Sequence, residues 1–246
     1  MDVQLIDYTG AGTNDPARYA AELLAFTKAT RLEMGKELAN KINAMPLDEL
    51  YAELYYMART IPSSWEFVSY TFLIRDVTRA FTHQFVRTRT GSYAQQSMRV
   101  TDQSGFNYRI GPGLADLDAP GRDTYIDAME AINEAYGQLI AEGVDPEDAR
   151  GILPTNIYTN IVAKFSLRTF VEMARKRASL RTQDEYREVM ELMKGRVIAV
   201  HPWTAMFLER TKDAQLHELS DRIRREVSDK KAMVAMVKLV DELRAG

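Results

Sequence analysis

A chain of 246 residues, 46% hydrophobic and 27% charged, can bury a sizeable core, and its composition is that of a globular protein rather than a disordered one. Its net charge of -3 excludes a surface that is basic throughout, so any anion site has to be a local cluster of arginines. Cysteine is absent, which removes disulfides, thiolate metal sites and every mechanism built on a thiol.

The start, MDVQLIDYTG, lacks a basic n-region and an apolar core, so no signal peptide is expected. No apolar run approaches the roughly 20 residues that span a bilayer, and a cytoplasmic protein without a membrane partner is the expectation. Apolar spacing predicts helix across 15–57, capped by Asn14 or Asp15 with Pro16 in the first turn and renewed after Pro46. The aromatic and β-branched run WEFVSYTFLI reads as a strand, and DVTRAFTHQFVRTR returns to helical spacing. SGFNYRIGPGL reads as a short strand and loop, 121–142 as a long helix stopped by Gly143, and DPEDARGILP as a short helix. Further helices are predicted at about 165–177, 183–196 and 214–245. No repeat or linker interrupts the chain, so one α+β domain over 1–246, mostly helical with a small sheet, is the expected architecture.

Three stretches carry the chemistry. RTRTGSYAQQSMR, from Arg87 to Arg99, holds three arginines, two serines and two adjacent glutamines with no acidic residue. Guanidinium forks match phosphate and carboxylate geometry and stay charged at physiological pH, but charge clusters also commonly just face water. PEDARGILP places Arg150 at the end of a short helix, where an arginine is often a dipole feature. FSLRTFVEMARKR has an apolar stripe of Leu167, Phe170, Val171 and Ala174, with Ser166, Met173 and Arg177 predicted on another face. Ser166 and Arg177 would then lie roughly 16 Å apart along one side of a helix. His83, His201 and His217 are scattered without ligand spacing, so no metal site is expected.

Together these stretches resemble the flavin-dependent thymidylate synthases. The family signature, Arg-His-Arg, seven residues, then Ser, is met by Arg87, Thr88, Arg89 and Ser97, with Arg99 in register. SSWEFVSYTFLIRDVTRAFTHQFVR resembles the family's Ser-x-x-Glu-His, Thr-Phe and His-Gln-x-x-Arg segments, and Arg177 with Gln183 its Arg-x-x-x-x-x-Gln-x-Glu pattern. The resemblance covers about 60–205 and implies an α+β fold of that family, with the sheet antiparallel. It implies C5 methylation of a deoxypyrimidine monophosphate, most simply dUMP to dTMP, with FAD as cofactor and methylenetetrahydrofolate and NADPH as co-substrates. No covalent thiolate step is needed, which agrees with the missing cysteine.

Carried over by position, Arg177 binds and activates the pyrimidine, and Ser97 stands beside it among the catalytic positions in a positioning role. Gln84, Arg87, Gln95, Gln96, Ser97, Arg99, Arg150 and Arg177 fall at nucleotide-binding positions. Ser63, Glu66, Arg87, Thr88, Arg89, Ser166, Arg168 and Glu172 fall at flavin-binding positions. The resemblance also implies a homotetramer that shares its active sites between subunits, with no nucleic-acid partner. The pattern departs at Thr88 and Phe67, where the family has histidine, at Ser166 and Glu172, where it has asparagine, and at Val100, where it has tyrosine. Most of these changes fall on the flavin side. They leave open a related C5 modification, methylation or hydroxymethylation of dCMP or dUMP, and a non-catalytic nucleotide-binding homologue that has lost flavin.

Overall fold

The computed structural model describes residues 1–32, 34–177, 182–208 and 212–245. By packing, the chain divides into two compact units, one of residues 1–8 and 70–165, the other of 9–69 and 166–246.

The first unit is built on four strands, β1 (Asp2–Tyr8), β2 (Ser69–Thr78), β3 (Ser92–Gln95) and β4 (Tyr158–Ser166), in the order β1-β2-β4-β3. β1 runs antiparallel to β2, and β3 antiparallel to β4 with Gln95 opposite Ile161. Backbone bonds from Leu167 to Val68 and from Arg79 to Ile157 flank the β2–β4 pair, which is therefore antiparallel too. In β4, Thr159, Ile161, Ala163 and Phe165 are buried and alternate with more exposed residues, the period of a half-buried strand. In β2, Tyr70, Phe72 and Ile74 face the core, but the alternation then slips by one to Val77. The slip occurs at Asp76, whose φ of 54° lies in the left-handed region, as at a bulge.

β2 thus continues through DVT, where helical spacing was predicted, and the helix α4 is only Arg79–Phe85. Thr78 caps it, its hydroxyl oxygen accepting the N–H of Phe81 (3.0 Å). Phe81 and Phe85 stack at 4.8 Å, and Phe85 meets Phe165 at 5.5 Å and Tyr93 at 5.6 Å edge to face. This aromatic cluster is the core beneath the Arg87–Arg99 stretch. Two short helical turns, α5 (Pro112–Ala115) and α7 (Pro146–Ala149), bracket the long helix α6 (Ala119–Ala141), and a 3-10 turn (Arg150–Ile152) follows. The Tyr136 hydroxyl and the Asn133 side chain on α6 accept the N–H groups of Gln103 and Gly105, so α6 ties down the segment after Arg99. SGFNYRIGPGL holds one isolated bridge, Tyr108 to Ile157, instead of a strand.

The second unit is helical. Asp15 caps α1 (Pro16–Ala29), accepting the N–H of Arg18 (2.9 Å). The buried stripe Ala20, Ala21, Leu24 and Ala25 would next need apolar residues near 28 and 31. Lys28 and Arg31 stand there, and α1 stops before the short α2 (Leu38–Asn43) and α3 (Leu47–Thr60), instead of running on as predicted. Pro62–Phe67 is a 3-10 turn rather than strand, because Trp65 is buried while Phe67 is 58% exposed, and the two cannot share one strand face. Trp65 donates to the Met57 carbonyl (3.0 Å) and meets Phe207 edge to face. α8 (Leu167–Arg177) and α9 (Asp184–Val200) complete this core. His201 is fully buried and stacks on Trp203, ahead of the short α10 (Ala205–Leu208). The predicted terminal helix is two helices, α11 (Lys212–Glu226) and α12 (Lys230–Ala245), packed as a hairpin. Among the described residues no helix is long and apolar enough to cross a membrane, and no group of three metal-ligating side chains forms; the side chain of His217 lies outside that description.

Candidate active site

In the first unit, α4 unwinds through bonds from Arg87 to the Gln84 carbonyl and from Thr88 to the Phe85 carbonyl, which leaves Arg87 and Arg89 exposed and Thr88 half-buried. The Tyr93 hydroxyl donates to the Thr88 carbonyl (2.8 Å) and pins the turn. Gly91 is required there: a Cβ would stand 2.5 Å from the Phe165 ring and 2.8 Å from the Tyr93 hydroxyl.

β3 then separates the two glutamines. Gln95 bonds through Nε2 to the hydroxyl of Thr82 (2.9 Å) and reaches that of Thr159 (3.5 Å). Gln96, the next residue, takes a bond on Oε1 from Asn160 Nδ2 (2.7 Å). Successive residues of a strand point to opposite faces, so the doublet is two separate groups and not a single clasp.

The Ser97 hydroxyl oxygen accepts the backbone N–H of Arg99 (3.2 Å), a positioning contact. Arg99 Nε bonds Glu147 Oε2 (3.0 Å), and Arg150 Nε bonds the Glu147 backbone oxygen (3.1 Å). Burial, and then the charge of Arg150, lower the Arg79 pKa, so a third guanidinium borders this group. Arg99 and Arg150 on Glu147, with Arg79 near Arg150, suit a multiply charged anion. The Arg99–Glu147 pair is well exposed, a kind that contributes about 0–1 kcal/mol, and an incoming phosphate could take it over at little cost. Arg79 carries no signal within TRAFTHQ; only the fold brings it to Arg150, 71 positions on. Gln84 lies half-buried on α4.

The second unit holds the other positions. Arg168 bonds Glu66 Oε1 (2.7 Å) and Glu172 Oε1 (3.1 Å), and these carboxylates, Glu172 first, raise its pKa. Ser63 accepts a bond from Arg31 (2.7 Å), and the exposed Phe67 ring adjoins Glu66. Ser166 is the last residue of β4, not the first of a helical face; its hydroxyl oxygen accepts the Thr169 N–H (3.2 Å) and opens α8. Met173 is 3% exposed and joins the predicted stripe of Leu167, Phe170, Val171 and Ala174 in the core. The expected face of Ser166, Met173 and Arg177 therefore does not form. Arg177, at the end of α8, holds its guanidinium 4.7 Å from the ring centroid of the buried Tyr186. Gln183 immediately precedes α9 and its side chain donates to that of Glu185 (3.3 Å); residues 178–181 lie outside the described residues. Sequence reasoning missed Arg79, Asn160 and Tyr186, each important only through a partner distant in the chain.

Residues 4–203 match the family model described as thymidylate synthase complementing protein. Among curated proteins, the flavin-dependent thymidylate synthase of Geobacter sulfurreducens is 33% identical over 164 residues, 65% of this chain and 70% of that one. Its counterpart in Clostridium tetani is 32% identical over 221 residues, 82% and 84% of the two chains. That of Sulfurisphaera tokodaii is 29% identical over 206 residues, 82% and 75% of the two chains. With four-fifths of its length matched, the chain belongs to the thymidylate synthase complementing protein family.

Proposed function

We propose that the protein is a cytoplasmic flavin-dependent thymidylate synthase that methylates C5 of dUMP, with FAD as resident cofactor and methylenetetrahydrofolate and NADPH as co-substrates. The observation that carries this reading is the pair of arginines on Glu147, Arg99 at its carboxylate and Arg150 at its backbone oxygen, a cationic cradle for a nucleotide phosphate. Gln84, Arg87, Gln95, Gln96 and Ser97 complete the nucleotide positions.

Arg177 is the group for the base. Attack by C5 builds negative charge on the ring oxygens and N3, and a fixed guanidinium stabilises that charge without losing its own proton. This electrostatic activation stands where a chain with cysteine could use thiolate addition, and Ser97 orients the nucleotide rather than attacking it.

The chain's residues fit FAD. Arg87 and Arg89, exposed and side by side on the turn, suit its pyrophosphate; Ser63, Thr88 and Ser166 suit its hydroxyls; and Phe67 offers an exposed ring face for its aromatic system. Arg168, compensated by Glu66 and Glu172, offers its remaining N–H edge without unbalanced charge. When bound, the flavin supplies the reducing equivalents that complete the methyl group. The positions fall on two separate units, and a homotetramer that completes each site from several chains is the assembly we propose, with nucleotide and folate but no nucleic acid as its partners.

The test is spectroscopic and chemical. Purified protein should be yellow, bleach with NADPH, and convert dUMP and methylenetetrahydrofolate to dTMP; colourless protein that still binds dUMP would sink the reading. Arg177→Ala should retain the flavin spectrum and lose on the order of 10²–10³ in turnover. Near wild-type turnover in that variant would refute its activating role.

A further inference from the structure

The row Asp76, Asn160 and Gln96 crosses β2, β4 and the end of β3 within the first unit. Gln96 donates its backbone N–H to the Asn160 carbonyl (2.9 Å), so the two residues are cross-strand neighbours with side chains on one face. The bulged backbone at Asp76 presents its N–H to Asn160 Oδ1 (3.2 Å), and Asn160 Nδ2 stands 2.7 Å from Gln96 Oε1.

The orientation of both amides follows from one group that cannot be reversed. A backbone N–H only donates, so the Asn160 atom facing Asp76 has to be oxygen. The amide nitrogen of Asn160 then faces Gln96, and because it only donates, the Gln96 atom that meets it has to be oxygen. The free end of Gln96 is therefore its NH2. Gln95 is under no such constraint, since threonine hydroxyls pair with either end of an amide.

We propose that Asn160 is a positioning residue that fixes Gln96 as a hydrogen-bond donor toward an acceptor oxygen of the bound nucleotide. The inference rests on the proposed function, in which Gln96 lines the nucleotide site. Uracil carries a carbonyl at position 4 where cytosine carries an amine, so a fixed donor facing that edge accepts dUMP and opposes dCMP. A ribose or phosphate oxygen satisfies the same donor but does not distinguish the bases.

Asn160→Asp tests the device. One carboxylate oxygen keeps the Asp76 bond, while the other can only accept, so Gln96 turns its NH2 inward and its oxygen outward. Affinities of the oxidised holoenzyme for dUMP, dCMP and deoxyuridine are measured by calorimetry, in the Gln96 background and in Gln96→Leu. The second background isolates the effect of the new charge. Asn160→Asp should weaken dUMP about tenfold more when Gln96 is present than when it is leucine, the effect of one hydrogen bond turned to repulsion. Within that result, dCMP gaining while dUMP loses places the acceptor at the 4-carbonyl. Both weakening together places it on the ribose if deoxyuridine follows, and on the phosphate if it does not. Equal penalties in the two backgrounds would overturn the inference while leaving the proposed function intact. Absence of dUMP binding by the unaltered protein would instead remove the function itself. Should Asn160→Asp not fold, Gln96→Leu alone decides: about tenfold weaker dUMP binding is expected, and unchanged affinity overturns the inference.

Discussion

Gly91→Ala is the substitution whose consequence is best defined. The backbone at Gly91 lies outside the left-handed region, so an alanine there meets a clash rather than conformational strain. The new Cβ would stand 2.5 and 2.9 Å from two carbons of the Phe165 ring. Carbon atoms in contact settle about 3.5–4.0 Å apart, so the ring would have to retreat by about 1 Å. It has little room, being 1% exposed and set among Phe72, Phe85 and Tyr93, with the Tyr93 hydroxyl held by the Thr88 carbonyl. Overpacking of this kind costs about 1–3 kcal/mol, which in a chain of this size lowers the melting midpoint by roughly 2–12 °C. The assay is thermal unfolding by circular dichroism at fixed protein concentration. Gly137→Ala is the control: its Cβ meets nothing within 4 Å, and in the interior of α6 it should raise stability by up to about 1 kcal/mol. Gly91→Ala melting at the wild-type midpoint would refute the reasoning. Partial recovery in Gly91→Ala/Phe165→Leu would trace the cost to the ring.

Three further outcomes are expected. His201 is held near pKa 4 by burial, which outweighs its bonds to the Thr9 and Pro16 carbonyls; its stabilising contribution is full above about pH 6.5 and is lost as pH falls toward 4, about 3 kcal/mol in all. The drop in melting midpoint between pH 7 and pH 4.5 should therefore shrink in His201→Phe, and an equal drop in both proteins would contradict this. If the Tyr186 ring face orients Arg177, Tyr186→Phe should stay near wild type, while Tyr186→Leu loses about three- to tenfold in kcat/KM. Equal losses in the two variants would reject the ring face as the cause. Arg79→Ala should weaken dUMP about tenfold and flatten its salt dependence but leave deoxyuridine unaffected; a matching loss for deoxyuridine would argue against a phosphate contact.

What the sequence reveals depends on how local each cause is. The helix stripe from Leu167 to Ala174 is legible because 3.6-residue spacing is a property of the segment itself. β4 is not legible in this way: YTNIVAKF runs Thr-Asn and then Ile-Val-Ala without alternating, and its period of two appears only in the burial that the sheet imposes. β1 shows little alternation, with Val3 its one fully buried residue and its register broken between Leu5 and Asp7, so its pairing with β2 supplies the reason for the strand. The arginines of the Arg87–Arg99 stretch stand out by composition, whereas Arg79 nears Arg150 and Glu147 meets Arg99 only through folding. Ser166 reads as helical in sequence because a serine that opens a helix and one that lies within it look alike there; the difference is which N–H its oxygen meets.

The alternation of Gln95 and Gln96 makes the length of the turn before them as consequential as its chemistry. Adding one residue between Arg89 and Ser92 would slide β3 by one place and set Gln95 opposite Asn160 and Ala94 toward Thr82, whereas removing one would turn Gln96 toward Thr82 and set Ser97 opposite Asn160. Every functional side chain would still be present and the charge unchanged, but the donor fixed by Asn160 would belong to a different residue. For redesign of this enzyme, Thr90 is open to substitution, whereas Gly91 and the residue count of the turn are not.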